Sequence, residues 1–82
     1  MSDRESRARG IVLTALAAVA PEADLSDLAE EANLRRALDL DSIDFQNLVI
    51  RLGREARIDI PDRDGARLAT LAGCVEYLAA RM

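Results

Sequence analysis

Between Asp3 and Ala20 the apolar residues recur with a helical period. At about 100° per residue, Ala8, Ile11, Val12, Ala15 and Val19 gather on one face. Gly10 weakens this first helix by about 1 kcal/mol relative to Ala. Pro21 ends it, because its ring excludes helical geometry in the preceding residue and it lacks a backbone N–H. From Pro21 to Asp41 no period is sustained. Leu25, Leu28, Leu34 and Leu38 punctuate the stretch and can anchor it to a core. Its first half carries Glu22, Asp24, Asp27, Glu30 and Glu31 without one Arg, and reads as a solvated acidic loop. Ordered connections of this length are uncommon and usually functional.

The period resumes at Asp41-Ser42, where a second helix is predicted to begin. Asp41 as N-cap accepts an orphan backbone N–H, and Asp44 adds a carboxylate to the first turn. Phe45, Leu48, Val49, Leu52 and Ala56 form a core stripe at helical spacing. Ile43 and Ile50 fall on nearly the opposite side, beside Gln46, Asn47, Arg51 and Arg54. Two exposed Ile residues on a polar face call for a partner. Ile58-Asp59-Ile60-Pro61 is too short and isolated for a useful strand and reads as an extended connector. Pro61 starts a short helix running to Arg67 or Leu68. Thr70 caps a last helix whose Leu71, Cys74, Val75, Leu78 and Met82 share one face, with Tyr77 at the edge of the core. The expected fold is all-α: a small four-helix bundle of three longer helices and one short one, with a long loop between helices one and two.

Composition narrows the function. With 82 residues the chain supports one domain, spanning residues 1–82. Half its residues are hydrophobic, yet Phe45 and Tyr77 are its only aromatics, which favours close-packed helices over an aromatic-rich sandwich. There is no His, so Ser-His and Cys-His nucleophile pairs, His general bases and His-containing zinc sites are excluded. The chain is therefore expected to be a substrate of enzymes, not an enzyme. Its 11 basic residues, all Arg, stand against 15 acidic ones, a net charge of −4. Scattered Arg on an acidic protein without stacking aromatics argues against nucleic acid binding.

The single Cys74 cannot form an internal disulfide and is expected in the packed core; a reducing, cytoplasmic setting is the default. Ile11–Ala20 superficially resembles a signal-peptide core, but Asp3 and Glu5 occupy the region that should be positive. No run reaches the ~20 apolar residues of a membrane span. Asp39-x-Asp41 hints at a calcium loop, but Ile43, Asp44 and Ile50 stand where an oxygen ligand, Gly and Glu are needed, so no metal site is expected.

The centre of the chain, Leu38-Asp39-Leu40-Asp41-Ser42-Ile43-Asp44-Phe45, resembles the prosthetic-group attachment site of acyl carrier proteins, where Asp-Ser-Leu or Asp-Ser-Ile opens the second helix. Leu48–Leu52, Ile58–Asp62, Leu68–Leu71 and Val75–Leu78 resemble the family in order and spacing without a gap, over nearly the whole chain. The resemblance implies a carrier that is modified on Ser42 by a phosphopantetheinyl transferase, using coenzyme A and magnesium. Asp41 and Ile43 are then the residues beside Ser42 that the transferase recognises. The covalent 4'-phosphopantetheine arm ends in a thiol that holds acyl groups as thioesters. Ser42 would otherwise be an ordinary helix-capping serine. Family members hold acyl chains between helices, which makes Phe45, Leu48, Val49, Leu52 and Ala56 the pocket candidates; bulky Phe45 narrows the entrance.

Two departures stand out. Asp39-Leu40 replace the Gly that often precedes the serine by two or three residues. From Ile43 to Arg57, two acids face three Arg, a local charge of +1 where fatty acid carriers are strongly acidic. Ile43, Gln46, Asn47, Ile50, Arg51 and Arg54 are the docking candidates. The expected function is a stand-alone monomeric carrier in a specialised lipid or secondary-metabolite pathway, working with acyl-loading and acyl-processing enzymes. The alternatives are a peptidyl or aminoacyl carrier, and an unmodified helical interaction module of the same fold.

Overall fold

A computed structural model describes residues 2–82. Helix α1 spans Asp3–Val19; Ser2 caps it by accepting the Glu5 N–H at 3.1 Å, and Asp3 and Glu5 place carboxylates in its first turn. Its buried stripe is Ala8, Val12, Ala15 and Leu16. Leu16 thus belongs to the stripe, while Ile11 and Val19 flank it half-buried. The small residues Ala8 and Ala15 let neighbouring helices approach closely.

The connection after α1 is more ordered than its aperiodic sequence predicts. Leu25–Asp27 form one 3-10 turn, capped by Asp24, which accepts from the Ser26 N–H at 3.0 Å and the Ser26 hydroxyl at 2.6 Å. Leu34–Ala37 form a short helix, α2, capped by Asn33. The expected long loop therefore contains a helix, and the helix opening at Ser42 is the third α-helix, not the second. A single turn is too short to display a 3.6-residue period, which is why the pattern hid it. Leu34 is completely buried, and Leu25, Leu28 and Leu38 pack partly buried against the core.

Helix α3 spans Ser42–Ala56, with Leu48 and Leu52 fully buried. It ends where Arg57 turns left-handed at φ 58°, letting the Arg57 and Ile58 N–H groups bond the Gly53 carbonyl. Residues 58–61 form a connector without regular structure, as expected of too short a strand, with Pro61 in the extended region. Asp62–Leu68 then wind as a 3-10 segment, with Pro61 at its N-cap instead of inside its first turn. Helix α4 spans Leu71–Arg81 and buries Leu71, Cys74, Val75, Tyr77 and Leu78. Tyr77 is only 2% exposed, so it belongs to the core and not to its edge.

Helix α1 lies between the other two long helices, packing on both α4 and α3, and the 62–68 segment packs on α4. The crossover is tied down at its far end. Leu34 N–H donates to the Ala69 carbonyl at 2.8 Å, and Ala72 N–H to the Glu30 carbonyl at 2.9 Å. Asn33 and Thr70 form an isolated antiparallel bridge, and Arg9 of α1 meets Glu30 at 2.7 Å. These bonds satisfy backbone groups that a loose loop would leave to solvent. The architecture is all-α, with three long helices, the short segment at 62–68, and α2 in addition.

Candidate functional site

Ser42 is the first helical residue of α3 and is exposed. Its position follows from a reciprocal cap: Asp44 N–H donates to Asp41 Oδ1 at 2.8 Å, and Asp41 N–H donates to Asp44 Oδ2 at 3.3 Å. The two carboxylates together close the first turn, so the serine hydroxyl is not consumed by capping. The Arg35 guanidinium of α2 lies beside it, with Nη2 3.4 Å from Ser42 Oγ and Nε 3.5 Å from the Leu40 carbonyl. Sequence reasoning passes over Arg35. The available signal was that Arg35-Arg36 interrupt a stretch otherwise rich in acids from Glu22 to Asp44.

The approach to Ser42 explains one departure from the resemblance. Asp39 adopts φ 54°, in the left-handed region where Gly is at ease and where Asp is among the better-tolerated alternatives. Leu40, next along, is 6% exposed and anchors the linker in the core.

A cleft of about 290 Å³ opens at Ser42, lined by Phe45, Gln46, Val49, Pro61, Asp62 and Gly65. It lies between α3 and the 62–68 segment. The five pocket candidates separate here. Phe45 and Val49 line the cleft, Leu48 and Leu52 are sealed in the core, and Ala56 is half-buried away from the cleft. Sequence reasoning missed the opposite wall, because Pro61, Asp62 and Gly65 carry no period that links them to Ser42.

The docking candidates occupy the outer face of α3. Ile43 is 68% exposed and Ile50 49%. Asn47, Ile50, Arg51 and Arg54 line a groove of about 360 Å³ with Asp44 and with Ala18 and Val19 of α1. Gln46 turns toward the Ser42 cleft and toward a second depression shared with Ile50 and Arg54. Ile43 and Ile50 stand on one side of the helix but do not share a depression.

Other candidate chemistry is accounted for by packing. Cys74 is fully buried, its thiol donates to the Leu68 carbonyl at 3.3 Å, and burial pushes its pKa up to about 12. Such a thiol is inert near neutral pH. Among the described residues no three His, Cys, Asp or Glu side chains gather as a metal set. No described helix is long and apolar enough to cross a membrane.

The residues at Ser42 fit a phosphate ester. The hydroxyl is exposed, a cation lies alongside, and the first-turn N–H groups of a helix favour an anion. Comparison with known proteins agrees. A family model described as "Phosphopantetheine attachment site" matches residues 11–78, from α1 into α4. The chain is 38% identical over 55 residues to the acyl carrier protein of Lactobacillus johnsonii, covering 67% of this chain and 69% of that protein. It is 32% identical to the acyl carrier protein of Lactobacillus acidophilus, covering 70% and 71%. The acyl carrier protein of Rubrobacter xylanophilus is 31% identical, covering 67% and 68%. With the family model spanning the Asp41-capped turn, the chain belongs to the acyl carrier protein family: it is a carrier of covalent 4'-phosphopantetheine, not an enzyme.

Proposed function

We propose that Ser42 is the attachment residue and that the chain serves a specialised lipid or secondary-metabolite pathway. The observation that carries the first part is an exposed serine hydroxyl on a first turn already capped by Asp41 and Asp44. When bound, the arm supplies a terminal thiol that holds acyl groups as thioesters. Asp41 keeps Ser42 at the helix start and outside the core. Asp41 and Ile43, both exposed beside it, form the surface for the transferase. Phe45 and Val49 offer an apolar wall to cargo entering the cleft, whose modest size favours short or partly exposed groups.

The charge of α3 supports the second part. Ile43 and Ile50 leave apolar surface in water, and covering each gains ~1.5–3 kcal/mol. Exposed Arg51 and Arg54 beside Ile50 select acidic or mixed partner surfaces and disfavour the basic ones that suit acidic carriers. The single buried thiol and the net charge of −4 support a monomer in a reducing cytoplasm.

Intact mass after incubation with coenzyme A, magnesium and a broad-specificity phosphopantetheinyl transferase tests the attachment residue. The wild-type chain gains one arm and Ser42→Ala gains none while keeping its helical circular dichroism. A labelled Ala variant would overturn the Ser42 assignment. A wild-type chain that gains nothing would mark an unmodified interaction module of the same fold.

A further inference from the structure

We infer that Arg35 is a positioning residue for the phosphodiester at Ser42, and that α2 exists in this chain to hold it there. The inference rests on the Ser42 reading above and concerns a residue on a different element. Leu34, its neighbour, is completely buried, and Asn33 caps the turn by accepting the Arg36 N–H at 3.0 Å. The backbone of Arg35 is therefore pinned. The Leu40 N–H donates to the Arg35 carbonyl at 2.8 Å, while Arg35 Nε reaches back to the Leu40 carbonyl at 3.5 Å. This two-way tie folds the linker so that the guanidinium stands 3.4 Å from Ser42 Oγ.

Both side-chain contacts are long for hydrogen bonds, so the guanidinium is held close to the hydroxyl without being satisfied by it. Among the described residues the only ion pair closer than 4 Å is Arg9–Glu30, so Arg35 has no carboxylate partner there. Charge makes its role specific. Asp39, Asp41 and Asp44 bracket Ser42 in sequence, and Asp41 and Asp44 are committed to closing the turn. A phosphodiester on Ser42 adds another anion to that group. The cation placed against Ser42 is Arg35, whose planar fork matches phosphate oxygens with two parallel N–H donors. Pairing there would hold the phosphate at the root of the arm against α2.

The test is 31P NMR of the modified protein, with Arg35→Gln, Arg35→Lys and Arg36→Gln. Arg36 is exposed on the same turn, and the hydrogen bond to Ser42 comes from Arg35, so Arg36→Gln controls for loss of one charge. Arg35→Gln is expected to move the 31P resonance and the Ile43 amide resonance, Arg35→Lys to move them less, and Arg36→Gln to leave both in place. Raising the salt concentration should shift the wild-type resonance toward that of Arg35→Gln, since the pair is exposed and screened. Intact mass is measured on every sample first. If all carry the arm and the 31P resonance of Arg35→Gln matches that of Arg36→Gln at low salt, the role of Arg35 is overturned while Ser42 stands. If the wild-type chain takes no arm at Ser42, both readings fall together.

Discussion

The Tyr77 hydroxyl of α4 donates to Asp64 Oδ2 at 2.6 Å, joining the last helix to the segment that forms one wall of the Ser42 cleft. The ring is enclosed, with the Arg81 guanidinium carbon 3.6 Å from its centroid and that of Arg67 at 5.2 Å. Asp64 precedes Gly65 of the cleft, so this bond holds the wall in place. Tyr77→Phe is expected to cost about 1 kcal/mol in urea unfolding, the net worth of one such bond with Asp64 left partly solvated. The pH dependence has a definite sign. The bond to Asp64, followed by burial, raises the Tyr77 pKa above its ordinary value near 10. The fold thus favours the neutral phenol, and its contribution is complete below about pH 10 and lost as pH rises through the raised value. Tyr77→Phe should flatten that alkaline fall. The buried Cys74 shifts in the same direction, so some loss above pH 9 persists in the variant.

Two glycines predict opposite responses to the same substitution. A Cβ on Gly73 would meet the Arg67 carbonyl oxygen at 2.4 Å and Thr70 Oγ1 at 3.0 Å, so α4 and the 62–68 segment must separate to admit it. Gly73→Ala is expected to destabilise by ~1–3 kcal/mol despite the better helix propensity of Ala. A Cβ on Gly10 meets nothing within 4 Å on the exposed side of α1. Gly10→Ala should stabilise by about 0.5–1 kcal/mol. Thermal melts of the two variants against wild type decide the matter, and equal shifts would contradict the packing at Gly73.

Phe45 lines the cleft together with Ser42. Phe45→Ala is expected to change how a long acyl chain on the modified protein is sheltered. The measurement is the set of amide shift changes between long-chain acylated and unacylated protein, which should spread to Val49 and Gly65 more strongly in the variant. An unchanged pattern would mean that Phe45 does not control entry.

The outer face of α3 yields a prediction about partners. Ile50→Asp should weaken processing by the cognate enzyme several-fold while leaving the melting temperature within a degree or so, because the side chain is half-exposed. Arg51→Glu with Arg54→Glu reverses the charge of the helix face. It should raise the rate at which ordinary fatty acid synthesis enzymes process the acylated protein, more at low salt than at high. Equal rates for wild type and the double variant at both salt levels would show that these Arg residues are merely solvated.

The three long helices were legible in the sequence because their signals are local. Asp41 with Asp44, and Thr70, mark helix starts through bonds spanning a few residues, Pro21 marks an end by its ring and missing N–H, and the stripes of α1, α3 and α4 repeat often enough to be read. The exposed pair Ile43 and Ile50 was legible for the same reason, since a helical period places both sides of a helix at once. The short helix α2 was not, because four residues show no period and its place depends on Leu34 reaching the core.

What the sequence determined by itself was therefore the capped turn that presents Ser42 and the polar and apolar faces of each long helix. Tertiary structure decided what surrounds that turn. Arg35 reaches Ser42 because a linker closes on itself at Leu40, the cleft has a second wall because Tyr77 holds Asp64, and Leu48 and Leu52 are sealed in the core of a bundle in which α3 packs on α1. The cleft wall and the core packing join residues too far apart for propensity or period to relate, and the shorter tie from Arg35 to Leu40 and Ser42 crosses a linker that carries no period. The energy that places them comes from burial shared among several segments, and it exists only once those segments meet.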